Sequence, residues 1–143
     1  MKRFRLACLC VSAAVLAVLL AGCGVAPYTS GTTPDIPAAI EKAGAVVLDS
    51  GTTKNEHPGG TTATWYEVGR PGSDEVRAVV NVLTFESARD RNAAYRVITN
   101  RTRNGSSPAL AYTAGDSVVM ISRLKDWGTV KDLNNAFKDA GLK

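Results

Sequence analysis

The stretch Glu75-Val-Arg-Ala-Val-Val-Asn-Val-Leu-Thr-Phe85 is the strongest strand signal in the chain. Residues at alternate positions of a strand point to opposite faces of a sheet. Two sets alternate here, namely Ala78, Val80 and Val82 on one face and Val79, Asn81 and Leu83 on the other. Because both sets are largely apolar, both faces need cover, and we predict a central strand. We expect helices over one of its sides and partial cover over the other.

The segments on either side of this strand predict four further strands and three helices. Strands are expected at Ala45–Asp49, Thr61–Val68, Ala109–Thr113 and Ser117–Leu124, and helices at 35–43, 87–103 and 129–140. The connections are short, and no strand-helix-strand unit repeats regularly. This order favours an α+β fold, with an antiparallel or mixed sheet of about five strands and about three helices packed mainly on one face. Residues 35–143 are therefore expected to form a single domain.

Side-chain patterns predict which surfaces of these elements are buried. On the second strand, Thr62, Thr64, Tyr66 and Val68 share one face, and Ala63, Trp65 and Glu67 share the other. The second helix is expected to turn Ala94, Val97 and Ile98 inward. The third helix is expected to bury Val130, Leu133, Phe137 and Ala140. Residues 51–60 are rich in Gly, Thr and polar residues, and we predict a loop there.

The first 23 residues are organised differently from the rest. A basic start precedes an apolar run and a short motif: Lys2, Arg3 and Arg5, then residues 6–20, then Leu20-Ala21-Gly22-Cys23. This arrangement has the parts of a secretory signal. Leu-Ala-Gly-Cys matches a lipobox, and the whole segment resembles the signal sequence of bacterial lipoproteins. An uncleaved membrane anchor, or an ordinary signal in which Cys23 is a free thiol, are the alternatives.

The resemblance implies that Cys23 is lipidated. In that family a diacylglyceryl group is attached to the cysteine thiol, and the chain is cut before it. Residues 1–22 are then the signal peptide, residues 23–34 a lipidated tether, and residues 35–143 the domain. Two or three acyl chains on one residue hold a protein durably on a membrane. We therefore expect a lipid-anchored protein on the outer, extracytoplasmic face of the cell membrane.

Removing the signal changes the charge balance and the cysteine content. The full chain carries 17 basic and 13 acidic side chains, but three of the basic ones lie before Leu6, so residues 23–143 have a net charge of +1. The basic pI is therefore no argument for a nucleic-acid partner. Cys8 and Cys10 leave with the signal, and Cys23 takes the lipid. The domain then has no thiol for a disulfide, a metal site or a nucleophile, and we expect no cofactor.

His57 is the only histidine and the first candidate for chemistry. A catalytic interpretation pairs it with Asp49 or Glu56 and with Ser50 as nucleophile. No nucleophile-elbow motif is present, and a zinc site needs more His or Cys ligands. The acidic residues form no alternating Asp/Asn loop of the calcium-binding kind. We therefore predict a solvated histidine in a mobile loop.

Two further groups are candidates for binding. Arg89, Arg96 and Arg103 are seven residues apart and line one side of the second helix, where they suit acidic phospholipid headgroups, anionic wall polymers or plain solvent. Trp65 and Trp127, with Tyr66 and Phe137, are expected either in the core or in a platform that stacks on sugars or peptides. Trp127 lies in a predicted connector and not within a periodic element.

Three functions remain open on the sequence alone. The first is a membrane-tethered, non-enzymatic binding or interaction module for an envelope protein or a wall polymer. The second is a small cell-envelope hydrolase or wall-modifying enzyme that uses His57. The third is a structural or regulatory accessory of an envelope complex. An open sheet face with Trp65 exposed would favour the first function.

Overall fold

The computed structural model describes residues 32–104, 110–122, 125 and 127–143, with Trp127 described by its backbone alone. Within these residues the elements are α1 Ile36–Lys42, β1 Val46–Lys54, β2 Gly60–Gly69, β3 Ala78–Phe85, α2 Ala88–Arg103, β4 Leu110–Ala114, β5 Ser117–Ser122 and α3 Trp127–Asp139. The predicted α+β class with five strands and three helices is confirmed. The predicted signal peptide and Cys23 lie outside the described residues.

The five strands form one antiparallel sheet with the order β1-β2-β3-β5-β4. The stretch of residues 75–85 contains β3, which is the central strand of the sheet as expected. The strand begins at Ala78 and not at Glu75, because Ala78 pairs with Val68 close to the end of β2. β3 and β4 are both antiparallel to β5, so they run parallel to each other, and α2 makes the crossing between them.

The two faces of the sheet are covered unequally. The first face packs against α1 and α3 and forms the larger core, which includes Ile40, Val80, Ile121, Leu133 and Phe137. The second face packs against α2 alone, through a smaller cluster of Leu83, Phe85, Ala94, Ile98 and Val118. Two helices therefore lie on one face and one on the other. β3 has the full cover on one side and partial cover on the other that its pattern predicted.

Local signals place the helix ends. Asp35 caps α1 by accepting a hydrogen bond from the backbone N–H of Ala38 at 3.1 Å. Ser87 caps α2 in the same way, accepting from the N–H of Asp90 at 3.2 Å. At the end of α3, Gly141 has a φ of 89°, and the N–H of Leu142 donates to the carbonyl of Phe137 at 3.0 Å. This is a Schellman ending, with Leu142 buried as its apolar contact.

Two predicted core positions are wrong. Val97 is 45% exposed, because α2 contacts the sheet through Ala94 and Ile98, and Val97 lies about 100° around the helix from Ile98. Ala140 is exposed, because α3 has already ended and the chain turns back at Gly141. Ala136, one turn earlier, is buried in its place.

Candidate functional site

Part of the second face of the sheet has no helix over it in the described part of the chain. The main contacts of α2 on this face are with β3, β4 and β5. The surface that remains open lies on β1 and β2, and we call it the ledge. Its residues are Asp49, Gly51, Trp65 and Glu67. Strand pairing brings them together, since Gly51 lies opposite Trp65 and Asp49 lies opposite Glu67.

Trp65 is the largest side chain on the ledge. It is half-buried, and it belongs to neither of the two core clusters of the described residues. Its indole lies against the backbone of Gly51, because a β-carbon at position 51 would come within 2.6 Å of the Cζ2 atom of Trp65. A glycine on β1 therefore makes the room that the indole occupies. Tryptophan is enriched at interfaces because its ring is largely apolar and carries a polar N–H.

The other predicted aromatic residues do not share this position. Tyr66 packs on the first face against the larger core, where burial raises the pKa of its hydroxyl and Asp35 raises it further. Phe137 is fully buried and meets the ring of Tyr112 edge-on at 5.9 Å between centroids. The core interpretation is confirmed for Phe137, whereas Tyr66 is half-buried and packs against the edge of the core. Trp127 begins α3 and so does not lie in a connector, and its side chain lies outside the described residues.

Asp49 and Glu67 place two carboxylates on the ledge. Like charges directly opposite each other on neighbouring strands are destabilising. The Asp49 carboxylate accepts a hydrogen bond from the N–H of Ser50 at 2.8 Å. Neither carboxylate pairs with a basic residue in the described part of the chain. The ledge thus joins an aromatic ring to an uncompensated pair of acids, which suits a cationic group.

His57 lies in a loop as the sequence predicts, but it is not fully solvated. β1 continues to Lys54 and β2 starts at Gly60, so the connection is much shorter than the predicted loop. His57 is half-buried, and its ring lies against Phe85 with 6.3 Å between the centroids. Its carbonyl accepts from the N–H of Gly60 at 2.8 Å.

Asn55 holds this connection in place, and sequence reasoning missed it. The side chain is only 2% exposed. Its Nδ2 donates to the carbonyl of Thr84 at 2.9 Å, and its Oδ1 accepts from the N–H of His57 at 3.1 Å. The signal available was an Asn between a strand and a Gly59-Gly60 pair. Gly60 is required there because a β-carbon would collide with the Asn55 amide.

The catalytic grouping proposed for His57 does not form. The chain reaches His57 after β1 ends at Lys54. Asp49 lies five residues back along β1 from that end, which is about 16 Å of strand, and Ser50 is only one residue nearer. Glu56 is adjacent in sequence, and it is exposed. In residues 32–143, as far as they are described, no three His, Cys, Asp or Glu side chains are close enough to hold a metal ion.

The arginine stripe is present as predicted. Arg89, Arg96 and Arg103 are all exposed on one side of α2, and Arg101 is also exposed, about 140° around the helix from Arg96. We call these four residues the basic face. None of the four forms an ion pair with a described residue. Arg91 differs, because it turns inward and donates to the carbonyl of Gly115 and to Asn92.

The chain enters the domain at a defined end of the sheet. Thr33 is joined to Ser117 by a hydrogen bond of 2.9 Å between their hydroxyl oxygens, and Ser117 begins β5 after its turn from β4. β3 ends and α2 begins at this same end, since Thr84 pairs with Ser117. A tether that precedes Thr33 would therefore leave the domain at the end of the sheet where α2 begins.

Comparison with known proteins identifies no relative. No family model matches the chain, and no curated protein or solved structure matches it. None of the described helices is long and apolar enough to cross a membrane.

Proposed function

We propose that the protein is a membrane-tethered, extracytoplasmic lipoprotein whose domain is a non-enzymatic binding module. The lipobox resemblance at Cys23 supports the tether and the location on the outer face of the cell membrane. The observation that carries the binding function is the ledge, where Trp65 lies over Gly51 on a part of the sheet without a covering helix. The ledge is the surface that receives the partner.

The chemistry of the ledge selects a cationic partner. Tryptophan is enriched among the residues that dominate binding energy at interfaces. The facing carboxylates of Asp49 and Glu67 lose their mutual repulsion when a Lys or Arg side chain, or a free amino group, binds between them. An envelope protein segment that carries Lys or Arg fits this surface, and a wall polymer fits where it carries amino groups.

Cross-linking in intact cells tests the ledge. A photoreactive residue replaces Thr53, which is exposed on β1 close to the ledge, and a control chain carries it at Lys131, which is exposed on α3. We expect a specific cross-linked product from position 53 and none from position 131. Trp65→Ala and Glu67→Lys should each remove that product, whereas Lys138→Glu on α3 should leave it.

Two results would overturn the proposal. Equal cross-linking from both positions would show that the ledge is not the binding surface. Turnover of an ester or wall substrate that His57→Ala abolishes would replace the binding module with an enzyme. Thermal unfolding of each variant separates lost binding from lost folding.

A further inference from the structure

The charge of the domain is distributed unevenly. Helix α2 contains five arginines and one acid, a net charge of +4. Residues 23–143 together carry +1, so the rest of that segment carries −3. The single acid on α2, Asp90, is engaged at the N-terminus of the helix, where its Oδ2 accepts a hydrogen bond from Ser87 Oγ at 2.6 Å. The basic face therefore has no acidic side chain among the exposed residues of α2.

An exposed apolar residue lies on the same helix, to one side of the Arg89, Arg96 and Arg103 stripe. Val97 is the only large hydrophobic side chain that the described residues leave exposed. On the helix it lies between Ala93 and Arg101, about 100° around the axis from Arg96. The apolar face of α2 is packed on the sheet through Ala94 and Ile98, so the arginines are the part of the helix that can meet a membrane, and their attraction to anionic lipids is electrostatic.

The proposed tether is long enough for this face to reach a bilayer. Residues 23–33 span at most about 35 Å when fully extended. The tether would leave the sheet at Thr33, at the end where α2 begins. A helix is about 10–12 Å across, so the basic face stands about that height above the sheet. The basic face can therefore lie on the surface that holds the lipid.

We infer that the basic face docks on anionic phospholipid headgroups and orients the tethered domain with α2 against the membrane. This inference rests on the proposed lipid anchor. In this orientation the ledge is set back from the lipid surface by about the diameter of a helix. It remains open to a partner that approaches along the membrane.

A unique cysteine makes the orientation measurable. Cys23 is the only cysteine after the predicted cleavage site, so lipidation leaves no competing thiol. Ala93 is exposed on α2 beside the basic face, and Ala93→Cys carries a fluorophore there. Lys131→Cys on α3 carries the same fluorophore on the opposite face of the sheet. The purified, lipidated chain is reconstituted into vesicles that contain a quencher attached to the lipid headgroups.

We expect stronger quenching at position 93 in vesicles with phosphatidylglycerol than in neutral phosphatidylcholine vesicles, and no such difference at position 131. High salt should remove the difference. Each arginine near an anionic surface contributes about a fivefold preference. Arg96→Gln with Arg103→Gln should therefore weaken the docked state about 25-fold.

The outcomes separate this inference from the proposed function. Failure of the full chain to insert into neutral vesicles would refute the lipid anchor. Insertion with equal quenching at position 93 in both vesicles would refute docking alone. If soluble polyphosphate changed the fluorescence at position 93 while anionic vesicles did not quench it, the basic face would be assigned to an anionic polymer and the inference would be overturned.

Discussion

Replacing Asn55 with alanine should destabilise the domain strongly. The substitution removes two hydrogen bonds of a side chain that is 2% exposed, namely the bond to the Thr84 carbonyl and the bond from the His57 N–H. A net hydrogen bond is worth about 1 kcal/mol, and a polar group left buried without a partner adds to the loss. We expect the free energy of unfolding to fall by about 2–3 kcal/mol.

Urea and thermal unfolding measure this loss. For a domain of this size each kcal/mol lowers Tm by about 4 °C, so we expect a decrease of about 8–12 °C. Asn135→Ala is the matched control, because Asn135 is exposed on α3, and its effect should stay within about 0.5 kcal/mol. If both variants lost the same small amount, the role given to Asn55 would be refuted.

Asn55→Asp adds a dependence on pH. The new carboxylate would face the Thr84 carbonyl in a buried place, so the folded state should raise its pKa above the unfolded value. The folded protein then binds more protons than the unfolded chain above pH 4, and stability should fall as the pH rises. A variant whose stability relative to wild type is independent of pH between 4 and 7 would contradict burial of this side chain.

Three further predictions address the ledge, the core and the tether. Glu67→Lys should raise the free energy of unfolding by up to about 1 kcal/mol, because it replaces repulsion with attraction toward Asp49. Urea denaturation measures this change, and a lower free energy of unfolding would contradict the register in which the two residues face each other. Burial, and then the nearby Tyr95, raise the pKa of the Tyr112 hydroxyl to about 12. The stability that this raised pKa contributes should be complete below pH 10 and should disappear as the pH rises to about 12. Ultraviolet titration of wild type and Tyr112→Phe tests this, and a transition near pH 10 that the wild type shows and Tyr112→Phe lacks would refute it. A fatty-acid probe should label the wild type and not Cys23→Ala, and equal labelling of both would end the lipoprotein proposal.

Local patterns were sufficient where a residue acts on its immediate neighbours. Asp35 and Ser87 begin the helices predicted at 35–43 and 87–103, because each caps its helix by bonding to a backbone N–H only three residues away. The exposure of Arg89, Arg96 and Arg103 also follows from helical spacing alone. Val97 could not be placed in this way, since its burial depends on how α2 is rotated against strands distant in sequence.

The sequence by itself determined that β3 is central, because a strand with two apolar faces must be covered on both. It also determined the near-neutral charge of residues 23–143 and the resemblance at Cys23. Only the tertiary structure decided that Trp65 stays outside the core, that Asp49 faces Glu67 and that Asn55 is buried. Each of these depends on strand register or on which half of a sheet face α2 covers. Such contacts join residues far apart in the chain, and local periodicity carries no information about them.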